Sequence, residues 1–361
     1  MPVARRFSIG RLVSSPFFLG IGALLALLPA GPAPHRTADG QALSKVRTIP
    51  LAGPVADSQA EISGLAGRGD TLFLLPQHPF RMAAGRAEHG LLYALPKTQL
   101  RAFLAGRSEG PLRPRPVPLV APRLRERSPV YQGCEALAFG DGAYLTTEAV
   151  ADAGTGAMRG FLFKGDLQED TLRLNERRRV TLPPQTSTHN MAYEALLVRP
   201  RRVLVFYEAN GRNVNPQPLA AAFSPALRML RPLAFPPLEY RLTDATAPNA
   251  GGRFWATNYF FPGEREKLDP AADPLAASNG STSRHAPRGP VERLVEFRVK
   301  RRGIERTATP PLRLSARPGA PRNWEGVARL RTDARGDGFL LATDQYPRTL
   351  LAFVAASGGE S

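Results

Sequence analysis

Five short segments of this chain share one design. "SGLA" at Ser63, "EALAF" at Glu135, "EALLV" at Glu194, "TDAT" around Asp244 and "EGVARL" at Glu325 each run from a polar or acidic residue into small and apolar ones. Each is followed by a turn and a second β-type run: "TLFLLPQ", "AYLTTEA", "RVLVFYEAN", "RFWATNYF" and "FLLATDQ". Further runs extend the units, such as "GFLFKGDL" and "RRVTLPP" in the second, or "LAAAFSP" and "MLRPLAFPP" in the third. Helical periodicity is nearly absent beyond the first thirty or so residues, so the repeat is built of strands.

A four-stranded antiparallel meander repeated along a chain closes most simply as a radial array, so the sequence predicts an all-β β-propeller. Five blades is the expected count, with six possible because the starts are spaced unevenly, by about 50 to 80 residues. The last unit offers only three strands, and "VRTIPLA", Val46 to Ala52, is the spare strand that would complete it and close the ring. A β-sandwich is the alternative, but it gives no reason for an acidic residue at the same place in several units.

The repeat also sets the domain plan. Residues 1–34 carry Arg5, Arg6 and Arg11, an apolar run from Leu12 to Leu28 and small residues near Ala30, the pattern of an export signal or uncleaved anchor. Residues 35–45 read as a linker, 46–356 as one propeller and 357–361 as a tail. The expected location is therefore secreted or periplasmic, or membrane-anchored through the N-terminus alone. Cys134 is the single cysteine, so no intrachain disulfide is available. The charge of +17, from 48 basic against 31 acidic residues, is mostly arginine spread through turns such as "RPRPV". It forms no dense basic stripe, which argues against nucleic acid and leaves a small phosphorylated or ester substrate and a monomer as the expectation.

In a propeller the first residue of each inner strand and the last residue of its hairpin partner finish near each other at one end of the channel. Ser63, Glu135, Glu194, Asp244 and Glu325 would converge on the axis, with Glu148, Glu208 and Asn258 at the partner ends. Converging carboxylates need a counter-charge, because like charges and burial both raise their pKa values. Oxygen-only donors suit Ca²⁺, so Ser63, Glu135, Glu194, Asp244 and Glu325 are the expected metal set. The competing expectation is that these acids bond backbone N–H groups where the inner strands diverge.

The order "SGLA", "EALAF", "EALLV", "LTDA", "WEGVARL" resembles the esterase-like phytase family over Val46 to Val354, and "NWEGVARL" through "ATDQYPRTLLAF" is the best match. A more distant similarity is to calcium-dependent apyrases. The resemblance implies a secreted propeller with phosphoester or ester hydrolase activity and an axial Ca²⁺. Two departures stand out: "LPQHPF" where the family carries Ser-Asp, and Ala136 and Ala195 where glycine is usual.

Glu148, Glu208 and His78 are then the candidate catalytic groups, and Arg212, Asn258, Asp344 and Arg348 the candidate substrate-binding ones. The insertion from Gly263 to Pro290 is expected to lie over the same face, bringing Arg265, Lys267 and Arg284. "GRSEG" around Ser108 matches a nucleophile elbow by letters only, since Pro111 and Pro114 forbid the helix an elbow needs. The rival to a hydrolase is a non-catalytic propeller that binds a ligand or envelope partner.

Overall fold

The computed structural model describes residues 43–83, 89–128, 131–276, 289–314, 322–332, 336–344 and 348–356. All belong to one unit, His35–Ser361. The proposed signal, Arg284 and the tail lie outside the described residues.

The second strand of each unit reads as a nearly unbroken apolar run, and the packing explains why. Leu72 and Leu74 of "TLFLLP" face one buried cluster with Leu340, Ala342 and Phe353, whereas Phe73 and Leu75 face another with Leu137, Leu145 and Phe163. Successive side chains of a strand point to opposite faces, so a sheet packed on both sides needs apolar residues at every position. Val203 and Val205 against Leu204 and Phe206 repeat the pattern.

The units are antiparallel meanders. The first comprises Ile62–Arg68, Thr71–Pro76, His89–Pro96 and Arg115–Val120; the second, Tyr131–Phe139, Ala143–Asp152, Ala157–Gln168 and Thr171–Leu182. Their outer strands join through a short parallel pairing, Leu119 to Leu172, so the two form one eight-stranded sheet. The third comprises Tyr193–Arg199, Arg202–Tyr207, Leu219–Phe223 and Leu233–Ala234, and the fourth Arg241–Ala245, Arg253–Phe260, Val291–Val299 and Ile304–Arg306, with Leu312–Arg313 also on Val291–Val299. The last runs Trp324–Leu330, Gly338–Thr343, Leu351–Ala355, and its outer strand is Arg47–Ile49 from the start of the domain.

Packing between meanders is cyclic. Tyr144 and Leu162 meet Leu196 and Val205, Phe206 meets Phe254 and Phe297, and Leu294 meets Trp324 and Phe339. With the two clusters above, each meander packs on the next and the last packs on the first. One cavity of about 180 Å³ touches all the inner strands, through Leu65, Leu137, Leu196, Ala245 and Val327. The protein is a β-propeller with its channel lined by inner strands. Closure by the N-terminal strand is as the repeat predicts, and that strand is further tied by the Arg47 guanidinium donating to the carbonyls of Leu104 and Phe103.

Candidate functional site

Every inner strand breaks register at the same place, and Tyr131–Phe139 breaks a second time, at Gln132. Against their second strands, Ile62 pairs Pro76 and Gly64 pairs Leu75, leaving Ser63 over; Cys134 and Ala136 leave Glu135; Tyr193 and Ala195 leave Glu194; Trp324 and Gly326 leave Glu325. In the fourth meander Thr243 and Asp244 oppose one residue, Thr257. These are β-bulges, which re-aim a side chain where it would otherwise follow the strand's alternation. The five residues singled out by the repeat thus each sit at a bulge, one in every inner strand.

They do not act alike. The Ser63 hydroxyl donates to the Cys134 carbonyl at 2.7 Å, so it bridges two meanders. Asp244 accepts from the N–H groups of Val327 at 2.7 Å, Ala245 at 2.7 Å and Leu65 at 3.3 Å, stitching three inner strands together. Asp244 thus does what the competing expectation assigned to the acids, whereas Ser63 bonds a carbonyl. Glu135, Glu194 and Glu325 are the acids that gather, with Glu148 and Glu208 from the second strands.

Their counter-charge is a side chain that the repeat does not single out, Arg241, the first residue of the fourth inner strand. Its Nε bonds Glu208; its Nη2 lies 3.2 Å from Glu194 and 3.5 Å from Glu325, and its Nη1 lies 3.9 Å from Glu264. The backbone fixes this position. Leu242 N–H donates to the Glu208 carbonyl, and the Asn258 amide donates to the carbonyls of Arg241 and Glu239, each at 3.0 Å. Asn258 also accepts from Arg293, itself paired with buried Asp273 at 2.6 Å. Asn258 is therefore part of the scaffold behind Arg241, not a free substrate contact.

The residues expected to hold Ca²⁺ fit that ion poorly. Ser63 and Asp244 are spent on backbone, and a guanidinium stands between Glu194 and Glu325, where an ion would need oxygen ligands on all sides. Among the described residues no group of three or more His, Cys, Asp or Glu has metal-binding geometry. The insertion contributes a second cation: Lys267 lies 3.6 Å from Glu264 and donates to the Asn190 carbonyl at 3.2 Å. It lies in Arg265–Leu268, so the described part of the insertion does pack at this end of the channel. Arg265 stacks on Phe260.

Burial raises the pKa of Glu135 well above the carboxylate range, and Glu148, Glu194 and Glu325 add to it. Glu325 is raised by burial and then by Asp344. Glu148 is pushed up to about 7, by burial and then by Glu194, against the pull of Arg241 and Lys267. For Arg241 burial alone would lower the pKa, but Glu194, Glu264 and Glu325 outweigh it, so the guanidinium stays charged. Two kinds of acid result: Glu208 is locked to Arg241, whereas Glu135 and Glu148 are poised to hold protons.

Glu148 lies opposite Gly133 in the strand register. A Cβ on Gly133 would come within 2.5 Å of the Gln77 side chain and 2.7 Å of Glu135 Oε1, so the missing side chain is what lets these two converge beside Glu148. Gln132, the residue before Gly133, lines an open cleft of about 480 Å³ with His78, Arg81, Arg125 and Tyr131, and Gln77 is the residue before His78. His78 Nε2 lies 3.4 Å from Glu61, whose backbone is left-handed at φ 44° and whose other neighbour is Arg81 at 3.6 Å. Burial, then Arg81 and Arg125, lower the His78 pKa to about 4, so it is a neutral imidazole at pH 7. Asp344 connects the two regions electrostatically, since burial first and then the Asp344 charge raise both Glu325 and Glu61. Arg212 and Arg348 are exposed; the Arg212 N–H donates to Glu239, and the Arg348 carbonyl accepts from the Thr343 hydroxyl. Neither joins the acidic cluster.

No protein-family model and no curated protein matches the chain. Among solved structures it is similar to an α-L-arabinanase of Cellvibrio cellulosa, at 12% identity over 84% of this chain and 94% of that one, with a TM-score of 0.44. It is also similar to the soluble aldose sugar dehydrogenase of Escherichia coli, at 11% identity over 86% and 99% with a TM-score of 0.38. A third is the glutaminyl cyclase of Myxococcus xanthus, at 12% identity over 87% and 100% with a TM-score of 0.37. The propeller fold itself stands on this chain's own strand pairing and cyclic packing.

Proposed function

We propose that this chain is an exported, monomeric, five-bladed propeller that hydrolyses a small phosphorylated or other ester at the acidic end of its channel. The phosphoester class comes from the resemblance of the blade starts to esterase-like phytases. The observation that carries the reading is Glu148: a carboxyl raised to about 7, buried beside Glu135 and paired in register with Gly133, whose neighbour Gln132 lines an open cleft with Arg81 and Arg125. A group that is half protonated at neutral pH serves equally as base and acid.

In this mechanism Arg81 and Arg125 neutralise the anionic part of the ester. Glu148 takes a proton from water as the water oxygen attacks the phosphorus or carbonyl carbon, then returns that proton to the departing alkoxide. Glu135, held protonated, donates a hydrogen bond to the same centre, and Arg241 with Lys267 limits the negative charge that builds up. No step is routed through Ca²⁺. The test is turnover on a panel of phosphate and carboxylate esters in chelator. Wild type is expected to be active, and Glu148→Gln to lose about 100-fold in kcat/KM, the scale of one general acid–base group. Activity that vanishes in chelator, or is untouched by Glu148→Gln, overturns this mechanism.

The second reading, a non-catalytic ligand-binding propeller, is favoured by one specific observation. Ser63, Asp244 and Asn258 are consumed by the scaffold, which leaves the ring of bases incomplete. No turnover anywhere on the panel, with saturable binding of one of its anions, is the outcome this reading expects.

A further inference from the structure

We propose that Arg241 is the resident axial cation of this propeller: its guanidinium takes the place a divalent ion would fill, and removing it converts the acidic cluster into a divalent-cation site. Whether the protein hydrolyses anything does not bear on this; where the charges lie does.

An ion on a propeller axis does two things: it neutralises converging acids and cross-links the blades that carry them. Arg241 does both. Its three side-chain nitrogens address four carboxylates, Glu194 and Glu208 of the third meander, Glu264 of the insertion and Glu325 of the last meander. Arg241 itself belongs to the fourth. A planar guanidinium with five N–H donors can spread one charge over several carboxylates in directions that a lysine ammonium cannot match. The side chain is not a surface arginine that happens to reach inward, since it is 13% exposed and Glu194, Glu208 and Glu325 are 10% or less. Its backbone is pinned on both sides, by the Leu242 N–H to the Glu208 carbonyl and by Asn258 to its own carbonyl.

Without the guanidinium the cluster changes character. Glu194, Glu208, Glu264 and Glu325 would remain around a space the size of the lost head group, with Glu135 and Glu148 as neighbours of Glu194 and Lys267 as the nearby cation. So many carboxyl groups in a low-dielectric pocket cannot all ionise unassisted. They form an oxygen-only donor set, the chemistry that favours a hard divalent ion over a softer one. Calcium should bind there and restore part of the lost stability by mass action.

The experiment measures the melting temperature of the full chain, in calcium chloride and in chelator, for wild type, Arg241→Met and Arg241→Lys. Wild type is expected to melt at the same temperature in both buffers and to retain no stoichiometric calcium after dialysis. Arg241→Met is expected to melt below wild type in chelator and to rise by about 5 °C in calcium at a concentration of about 100 times its Kd. Arg241→Lys, which keeps the charge, should remain insensitive to calcium. A wild type that calcium stabilises, or that holds one calcium per chain, overturns the inference, and so does a folded Arg241→Met that ignores calcium. If Arg241→Met does not fold, the wild-type measurement still decides: indifference to calcium supports the guanidinium as resident cation, and stabilisation refutes it.

Discussion

Glu148 and Glu208 occupy equivalent register positions beside the bulges of neighbouring meanders, yet one is poised to exchange a proton and the other is tied in an ion pair. The difference is the neighbour: Glu208 meets the Nε of Arg241, whereas Glu148 faces Glu135 and the side opened by Gly133. This gives a stability prediction with a definite sign. The folded-state pKa of Glu148, about 7, lies above the ordinary glutamate value of 4.5, so the native state binds its proton more tightly than the unfolded chain does. The resulting stabilisation is fully present below about pH 4.5 and is lost as pH rises through about 7. Its full size is about 3 kcal/mol if the pocket does not relax. Wild type should therefore lose melting temperature between about pH 5 and pH 8 more steeply than Glu148→Gln, which cannot ionise there. Thermal melts of both proteins across that range check it, and parallel curves would remove the shifted carboxyl.

The same residues show how far the sequence reaches. The positions Ser63, Glu135, Glu194, Asp244 and Glu325 are readable from the repeat alone, because a bulge recurring in every unit leaves a recurring polar residue in an apolar strand. Their roles are not. Whether a carboxyl at a bulge meets a backbone N–H, as Asp244 does, or a guanidinium, as Glu325 does, depends on which side chain the neighbouring strand presents across the channel. That information lies in distances between units that spacing does not encode. Arg241 is hidden for a simpler reason: in a chain with 48 basic residues, one arginine beginning "RLTDA" carries no mark of burial.

Among the elements, the strand Arg47–Ile49 has the clearest consequence. It pairs with Leu351–Ala355, Ile49 joins the cluster of Leu72, Leu340 and Phe353, and Leu51 bridges to Leu112 of the first meander. The sequence foretells it because the last unit is one strand short, an arithmetic that needs no coordinates. Removing residues 45–52 should expose the edge of Leu351–Ala355 and the core beneath it. The expected result is a cooperative loss of stability and increased self-association, read by melting and by light scattering. A truncated domain that melts like the intact one would mean that the ring does not depend on this closure. Element boundaries within units are also close to the expected runs, since each apolar second strand is bounded by turn residues. The fourth unit's second outer strand, Leu312–Arg313, has no such signal, because two residues carry no periodicity to find.

At the scale of the whole molecule, the channel is neutralised from within. A propeller whose inner strands bulge at a shared level concentrates acids on its axis, and something must compensate them. Here a compensating guanidinium, Arg241, is covalently part of the chain, and as the proposed resident cation it would make the fold independent of metal supply. One measurement separates this from an ion-filled channel: the melting temperature of Glu194→Gln relative to wild type, in calcium and in chelator. If Arg241 is the cation, losing the Glu194 charge weakens an internal ion pair, and the variant should be destabilised by the same amount in both buffers, by about 1 to 3 kcal/mol. If a calcium ion were the counter-charge, the substitution would destabilise the calcium-bound protein and stabilise the metal-free one by relieving repulsion. A change of sign between the two buffers would contradict neutralisation by Arg241.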